Sequence, residues 1–334
     1  MTPVVRDRLT WGLWNLALAG GYYVAAELGL QLALVRGQIT PLWLPTGIAL
    51  ACLLVHGRRC WPGIALGAFL VNLPLGPSLP AVLVITAGNT VAPLVACLLL
   101  DRIGFHHGMD RLKDAFALVF VGAFGGMLIS ATVGVSTLWL SDALPPGGFW
   151  AAWSVWWTGD AMGVLVVTPT LLVISRIRWR GRVPVLRMTE AVSLPLAIAG
   201  VLVLANQTRM PLFFLAFPLL VWAAVRFQLR GAAPCALLMS LAAAYGAAKG
   251  IGPFARLDVL DKMIALQAFN ASTALTALLL AAITTQRNEA QHSVERAVVQ
   301  LTDAVASLEP YSLLRDSRLE NVLRARAARD KQIS

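Results

Sequence analysis

Long apolar runs, broken by short stretches of Pro, Gly and Arg, fill residues 11–285, and a charged tail follows them. A helix needs about 20 apolar residues to cross a membrane. On that scale the runs divide into ten segments, at 11–35, 41–56, 61–75, 78–100, 112–140, 149–175, 188–205, 210–226, 231–248 and 262–285. The second and third are short and open on Pro41 and on Trp61-Pro62, so a shallow re-entrant hairpin is the alternative for that pair. Dropping the pair leaves eight spans and the same parity. The pattern predicts an all-α fold: a polytopic integral membrane helical bundle of about ten transmembrane helices, or eight with the hairpin, followed by a cytoplasmic C-terminal helix.

Two short similarities suggest an internal duplication. Pro41-Leu-Trp-Leu in the second segment returns as Pro211-Leu-Phe-Phe in the eighth, and Ala87-Gly-Asn89 returns as Ala268-Phe-Asn270. Both relate spans one to four to spans seven to ten in parallel orientation, although apolar sequence of low complexity also produces such matches by chance.

Residues 287–334 differ in kind, with 8 basic and 7 acidic side chains in 48 positions. Val294, Val298, Leu301, Val305 and Leu308 are spaced by 4, 3, 4 and 3, which is the a/d seam of a coiled coil over two heptads, closed by Pro310. That seam predicts a homodimer through the C-terminal helix. The competing reading is an amphipathic helix on the membrane surface, which suits Arg324, Arg326, Arg329 and Lys331. The expected organisation is a membrane-embedded domain over 1–286 and a cytoplasmic helix or coiled-coil stub over 287–334.

Composition sharpens this picture by exclusion. Of 334 residues 58% are hydrophobic and 13% charged, and the mean hydropathy is +0.71. Soluble domains carry about 25% charged residues, so a soluble enzyme is excluded. The net charge of +10 would suggest nucleic acid in a soluble chain, but membrane proteins collect Lys and Arg on the cytoplasmic side. With the N-terminus inside, 22 of the 27 basic residues fall in inner segments. Both termini are therefore expected in the cytoplasm, with the lipid bilayer as partner and no nucleic acid. Ala17-Leu18-Ala19 resembles a signal-peptidase site, yet the apolar run continues past it, which favours an uncleaved anchor. Cys52, Cys60, Cys97 and Cys235 have no paired spacing and read as small buried hydrophobes.

Charge at mid-membrane depth is costly and usually faces protein or a water-filled cavity. Two carboxylates qualify, Glu27 and Asp160. Asp160 lies 11 residues into its helix, about 16 Å. Asn89 and Asn270 fall at similar depth. Trp153, Trp156, Trp157 and Asp160 follow helical spacings of three and four, so several indole rings are expected on the acid's face. An aromatic-lined cavity with a carboxylate at its floor would suit a cationic or aromatic ligand; a purely structural polar network is the alternative. Catalysis is not expected, nor is any cofactor or metal. His56, His106, His107 and His292 lie at or beyond the boundary, and Asp160 has only Glu27 as a partner for an aspartyl dyad.

A family resemblance rests on spaced motifs. Trp43-Leu-Pro45-Thr-Gly47, Gly57-Arg58-Arg59-Cys-Trp61-Pro62-Gly63 and Leu66-Gly67-Ala-Phe-Leu-Val-Asn72 resemble the opening of the type-one membrane-associated sensor domain. Gly88-Asn89-Thr90, Ser130-Ala131-Thr132-Val-Gly134, Trp156-Trp157-Thr-Gly159-Asp160-Ala-Met-Gly163 and Leu266-Gln267-Ala-Phe269 resemble later motifs in the same order. The resemblance implies a bacterial sensory input module, usually joined to a histidine kinase, diguanylate cyclase or other output, none of which has a counterpart in 287–334. The chain is then either an input module cut or encoded short, or a partner of a separate cytoplasmic signalling protein or membrane transporter. The sensing residues expected are Asp160, Trp156 and Trp157, with Trp153, Trp43, Asn72, Asn89, Glu27 and Asn270 around them, and the small-molecule ligand is unknown. The rival functions are a secondary transporter with a midplane acidic site and a membrane scaffold without sensing.

Overall fold

The computed structural model describes the backbone of residues 3–32, 40–177, 185–208, 210 and 212–330, and side chains between 9 and 304 within those ranges. Among the described residues every regular element is helical. The order is α1 (Pro3–Gln31), α2 (Leu44–His56), α3 (Trp61–Asn72), α4 (Leu79–Arg102), α5 (Leu112–Phe116), α6 (Gly126–Leu140), α7 (Phe149–Ser175), α8 (Val185–Gln207), α9 (Ala216–Phe227), α10 (Leu229–Lys249) and α11 (Val259–Asp330).

Between α5 and α6 the residues Ala117–Gly125 form a π-helical stretch, so Leu112–Leu140 is one apolar helical length with a widened middle. Among the described residues each of the ten apolar segments is mostly helical, and six helices are long and apolar enough to cross a membrane. α2, α3 and α9, with 13, 12 and 12 residues, are each about 20 Å long or less. That is short of the roughly 30 Å hydrocarbon core. The chain is an all-α membrane protein with six such helices, and the short ones add half-length elements to the bundle.

Local chemistry sets the boundaries. Ser78 caps α4 by accepting the Ala81 amide at 3.4 Å, satisfying one of the free donors of the first turn. Gly57, at φ +84°, ends α2 and turns the chain through Arg58–Cys60 into α3. Pro93, Pro169, Pro195 and Pro234 sit inside helices, as tertiary packing permits in membrane bundles.

Residues Met1–Thr285 form one compact unit. Within it α2 packs on α7, α3 on α1 and α4, α4 on α6, and α10 on α7, α8 and α9. Small residues let these helices approach closely, as they do in lipid, where packing rather than water exclusion drives association. Asn15 ties α1 to the start of α3 by accepting the Gly63 amide at 2.7 Å. The cysteines are free, three of them buried and Cys52 partly so.

The second unit, Gln286–Ser334, is helical to Asp330. Val294, Val298 and Leu301 stand exposed on it, while the side chains of Val305, Leu308 and the basic residues from Arg324 onward lie outside the described residues. The helix runs through Pro310, so the proline expected to close the seam does not end the helix. A single proline removes one amide bond and kinks a helix more readily than it stops one with helical residues on both sides.

Candidate functional site

The site is assembled where the first turn of α2 meets the middle of α7. Gly159, Gly163 and Gly47 supply the space. A Cβ on Gly163 would overlap the Trp43 carbonyl, one on Gly47 would overlap the Gly163 carbonyl, and one on Gly159 would come within 2.7 Å of the Thr40 carbonyl. With the side chains absent, the backbones hydrogen-bond directly: the Trp43 amide donates to the Gly159 carbonyl at 3.0 Å. One turn on, the Thr46 hydroxyl donates to Asp160 Oδ1 at 2.6 Å. Two turns further along α7, the Thr168 hydroxyl donates to the Gly47 carbonyl at 3.0 Å.

Asp160 is 1% exposed. Its carboxylate lies against the N-terminal turn of α2, where unsatisfied amides carry about half a positive charge. This offsets part of the cost of burying an acid among apolar helices. The other oxygen, Oδ2, is buried without a hydrogen-bond partner; Ser130 and Trp156 are its polar neighbours. Trp156 donates its indole N–H to Ser130 Oγ at 3.1 Å, and Ser130 donates to Asn89 Oδ1 at 2.9 Å. The Trp156 ring fits over Gly134 of α6, where a Cβ would come within 2.7 Å of it. Tyr22 of α1, also 1% exposed, lies near Trp43 and Asp160.

Beside this network is a cavity of about 130 Å³. Its polar lining comes from Thr40, Asn72, Asn89 and Asp160, and its indole lining from Trp43 and Trp156. The rest is apolar, including Leu30, Ile85 and Val155. Leu75 and Gly76, just past α3, Leu138 of α6 and Leu144 of the α6–α7 connection also line it.

Five of the nine sequence-derived residues thus meet at one cavity: Asp160, Trp156, Trp43, Asn72 and Asn89. The other four do not. Trp153 and Trp157 stack on each other at 5.4 Å, and Trp157 donates to the Phe124 carbonyl in the π-helical stretch at 2.8 Å, while Trp153 donates to Thr132 Oγ1 at 3.1 Å. At about 100° per residue, Trp156 and Trp157 fall to opposite sides of Asp160 around α7, about 40° and 60° away. The aromatic residues therefore do not all share the acid's face. Glu27 is half-buried on α1, interacts with Tyr23 and is not among the residues lining the cavity. Asn270 is wholly buried on α11, with neither amide atom partnered.

Thr46, Ser130, Tyr22 and Thr40 are members of the site that sequence reasoning did not single out. Thr46 and Ser130 stand inside motifs quoted above, Trp43-Leu-Pro-Thr-Gly and Ser-Ala-Thr-Val-Gly, which was the available signal. Tyr22 and Thr40 had none. Among the described residues no group of three or more His, Cys, Asp or Glu is placed to hold a metal.

The profile of the MASE1 family matches residues 14–288. The chain belongs to the MASE1 family. It is similar to the Probable diguanylate cyclase DgcE of Escherichia coli strain K12, at 28% identity over 211 residues. That match covers 61% of this chain and 18% of the relative, so the chain spans under a fifth of the curated relative's length. No solved structure matches. The matched MASE1 region contains α2, α7 and the cavity between them, and the site described above is therefore internal to the sensor domain.

Proposed function

We propose that this MASE1 chain is the membrane-embedded input module of a bacterial signalling system, which passes a ligand- or partner-dependent helix rearrangement to a cytoplasmic output. The observation that carries the reading is a hydrogen bond: Gln267 Nε2 on α11 donates to the Pro41 carbonyl at 3.0 Å. The same short segment, Thr40–Trp43, lines the cavity and is fastened to α7 through Gly159. A ligand that prefers one arrangement of this segment would bias the position of α11 by its difference in affinity for the two states. Small shifts of packed helices carry such changes over distance. In this reading the residues after 286 form the cytoplasmic signalling helix, both termini face the cytoplasm, and the seam at Val294, Val298 and Leu301 pairs two copies. The output is a kinase or cyclase reached through a separate protein or a further segment. The similarity to a probable diguanylate cyclase supports that class.

The test joins a diguanylate cyclase reporter after Asp330 of the full chain and compares wild type with Asp160→Asn and Gln267→Ala. Both variants should accumulate normally and give an output fixed at one level. Reporter activity unchanged in both, at equal abundance, would refute the proposal.

One feature favours a second reading, a secondary transporter: the short helix α2 starts inside the bundle with its N-terminus at a buried acid, an arrangement transporters use to hold substrates. Substrate-dependent uptake into vesicles by the full chain would support it over signalling.

A further inference from the structure

Three features of the cavity bear on what it binds. First, Asp160 is the one ionisable side chain among its described lining residues. Second, the acid is half-served: Oδ1 accepts from Thr46, while Oδ2 is buried and unpartnered. An orphaned buried carboxylate oxygen is rare in native proteins, because leaving it dry forfeits its hydration without return. Third, no Lys, Arg or His is among the described lining residues, so the cavity holds no side-chain counter-ion for the acid.

The other polar groups refine the demand. Asn72 spends its amide N–H on the Ala68 carbonyl at 2.8 Å, and its oxygen, which has no donor among the described residues, is a second acceptor beside the cavity. The Trp156 indole spends its N–H on Ser130, so toward a ligand it offers ring surface, which attracts cations. The remaining lining is aliphatic, as around Ile85 and Val155. A space of about 130 Å³ holds several waters or one small organic molecule.

From this we infer that the site takes a small organic ammonium ion, a protonated primary or secondary amine with a short apolar body, whose charge Asp160 balances, with the indole rings of Trp43 and Trp156 in the lining beside it. A carboxylate or phosphate ligand would meet Asp160 with like charge and no basic lining residue to receive it. A neutral alcohol would fill the apolar part but leave the charge uncompensated. The inference rests on the sensing role proposed above only for its biological meaning; binding itself follows from the cavity.

The experiment uses the purified full chain in detergent, with n-butylammonium, 1-butanol and butyrate as probes of similar size and different charge, read by thermal unfolding midpoint and tryptophan fluorescence. Butylammonium should raise the midpoint saturably, and butanol and butyrate should not. Asp160→Asn should abolish the response. Ala152→Phe, which fills the cavity and leaves the acid in place, should abolish it as well, so a misfolded Asp160 variant does not decide the matter. Trp156→Phe should weaken binding by about tenfold or less, the range of one cation–π contact. Equal stabilisation by butanol, or a response that survives Ala152→Phe, would overturn the inference, as would no response to butylammonium in the wild type. Should the amines fail while Gln267→Ala still fixes the reporter output, the ligand class falls and the sensing role stands. Should they bind without changing the output, the reverse holds.

Discussion

The Thr46 hydroxyl donates to Asp160 Oδ1 at 2.6 Å across 114 positions of sequence, joining the first turn of α2 to the middle of α7. Both residues are buried, and the glycines around them bring the two backbones into hydrogen-bonding contact. Thr46→Val keeps the shape and removes the donor, leaving both carboxylate oxygens without a bond. It should destabilise the detergent-solubilised chain by about 1–3 kcal/mol, and Thr46→Ser should recover most of that, both read from unfolding midpoints.

Close approach at the helix crossing gives a sharper test. Gly163→Ala would drive a methyl into the Trp43 carbonyl, and backbone cannot swing aside as a side chain can. It should lower folded yield severely. Gly200→Ala on α8 meets nothing within 4 Å and should be neutral or stabilising by up to about 1 kcal/mol, since alanine is the better helix former. Fluorescence-detected size exclusion would compare the two.

His107, in the connection between α4 and α5, provides a pH dependence. Burial chiefly, and then the charge of Arg176, hold its pKa below the ordinary 6.5, with Asp101 opposing. Just below pH 6.5 the unfolded chain binds a proton that the folded chain does not, so stability should rise with pH through that window. His107→Gln should flatten the rise in unfolding midpoints measured between about pH 5.5 and 7.

Pairing of the signalling helix is open to cross-linking. In a background without the four native cysteines, cysteine at Val294 or Val298 should trap dimers more readily than cysteine at Ala297, because a and d positions face the partner. Equal trapping at all three would favour a helix lying on the membrane.

The proposed orientation rests on the 22 basic residues of the segments assigned to the inner side. Reporter fusions after Arg59 and Arg287 should register cytoplasm, and fusions at Gly76 and Pro146 the outside. A tail on the outer side would reverse the proposed direction of signalling.

The apolar runs and their Pro, Gly and Arg punctuation determined by themselves that the chain is an all-α membrane protein, because lipid admits few alternatives to helices with internally satisfied backbones. They marked most of the described helices, although α1 begins at Pro3 rather than at 11 and α11 runs from Val259 to Asp330, and the spaced motifs identified the sensor family. They also singled out Asp160, since a carboxylate in an apolar run is conspicuous by its cost. Which polar groups accompany it was another matter. Trp156 and Trp157 are adjacent in sequence, yet a step of about 100° around the helix puts one at the cavity and the other against Phe124. Asn89 and Asn270 read alike, but one joins the network through Ser130 and the other is buried on α11. Thr46 and Tyr22 carry no charge to mark them, and Gln267 meets Pro41 only because 226 positions of chain fold back between them. Depth and composition are local properties that a sequence displays. The meeting of helix faces depends on rotation, crossing and the room left by glycines, and those were decided by packing in three dimensions.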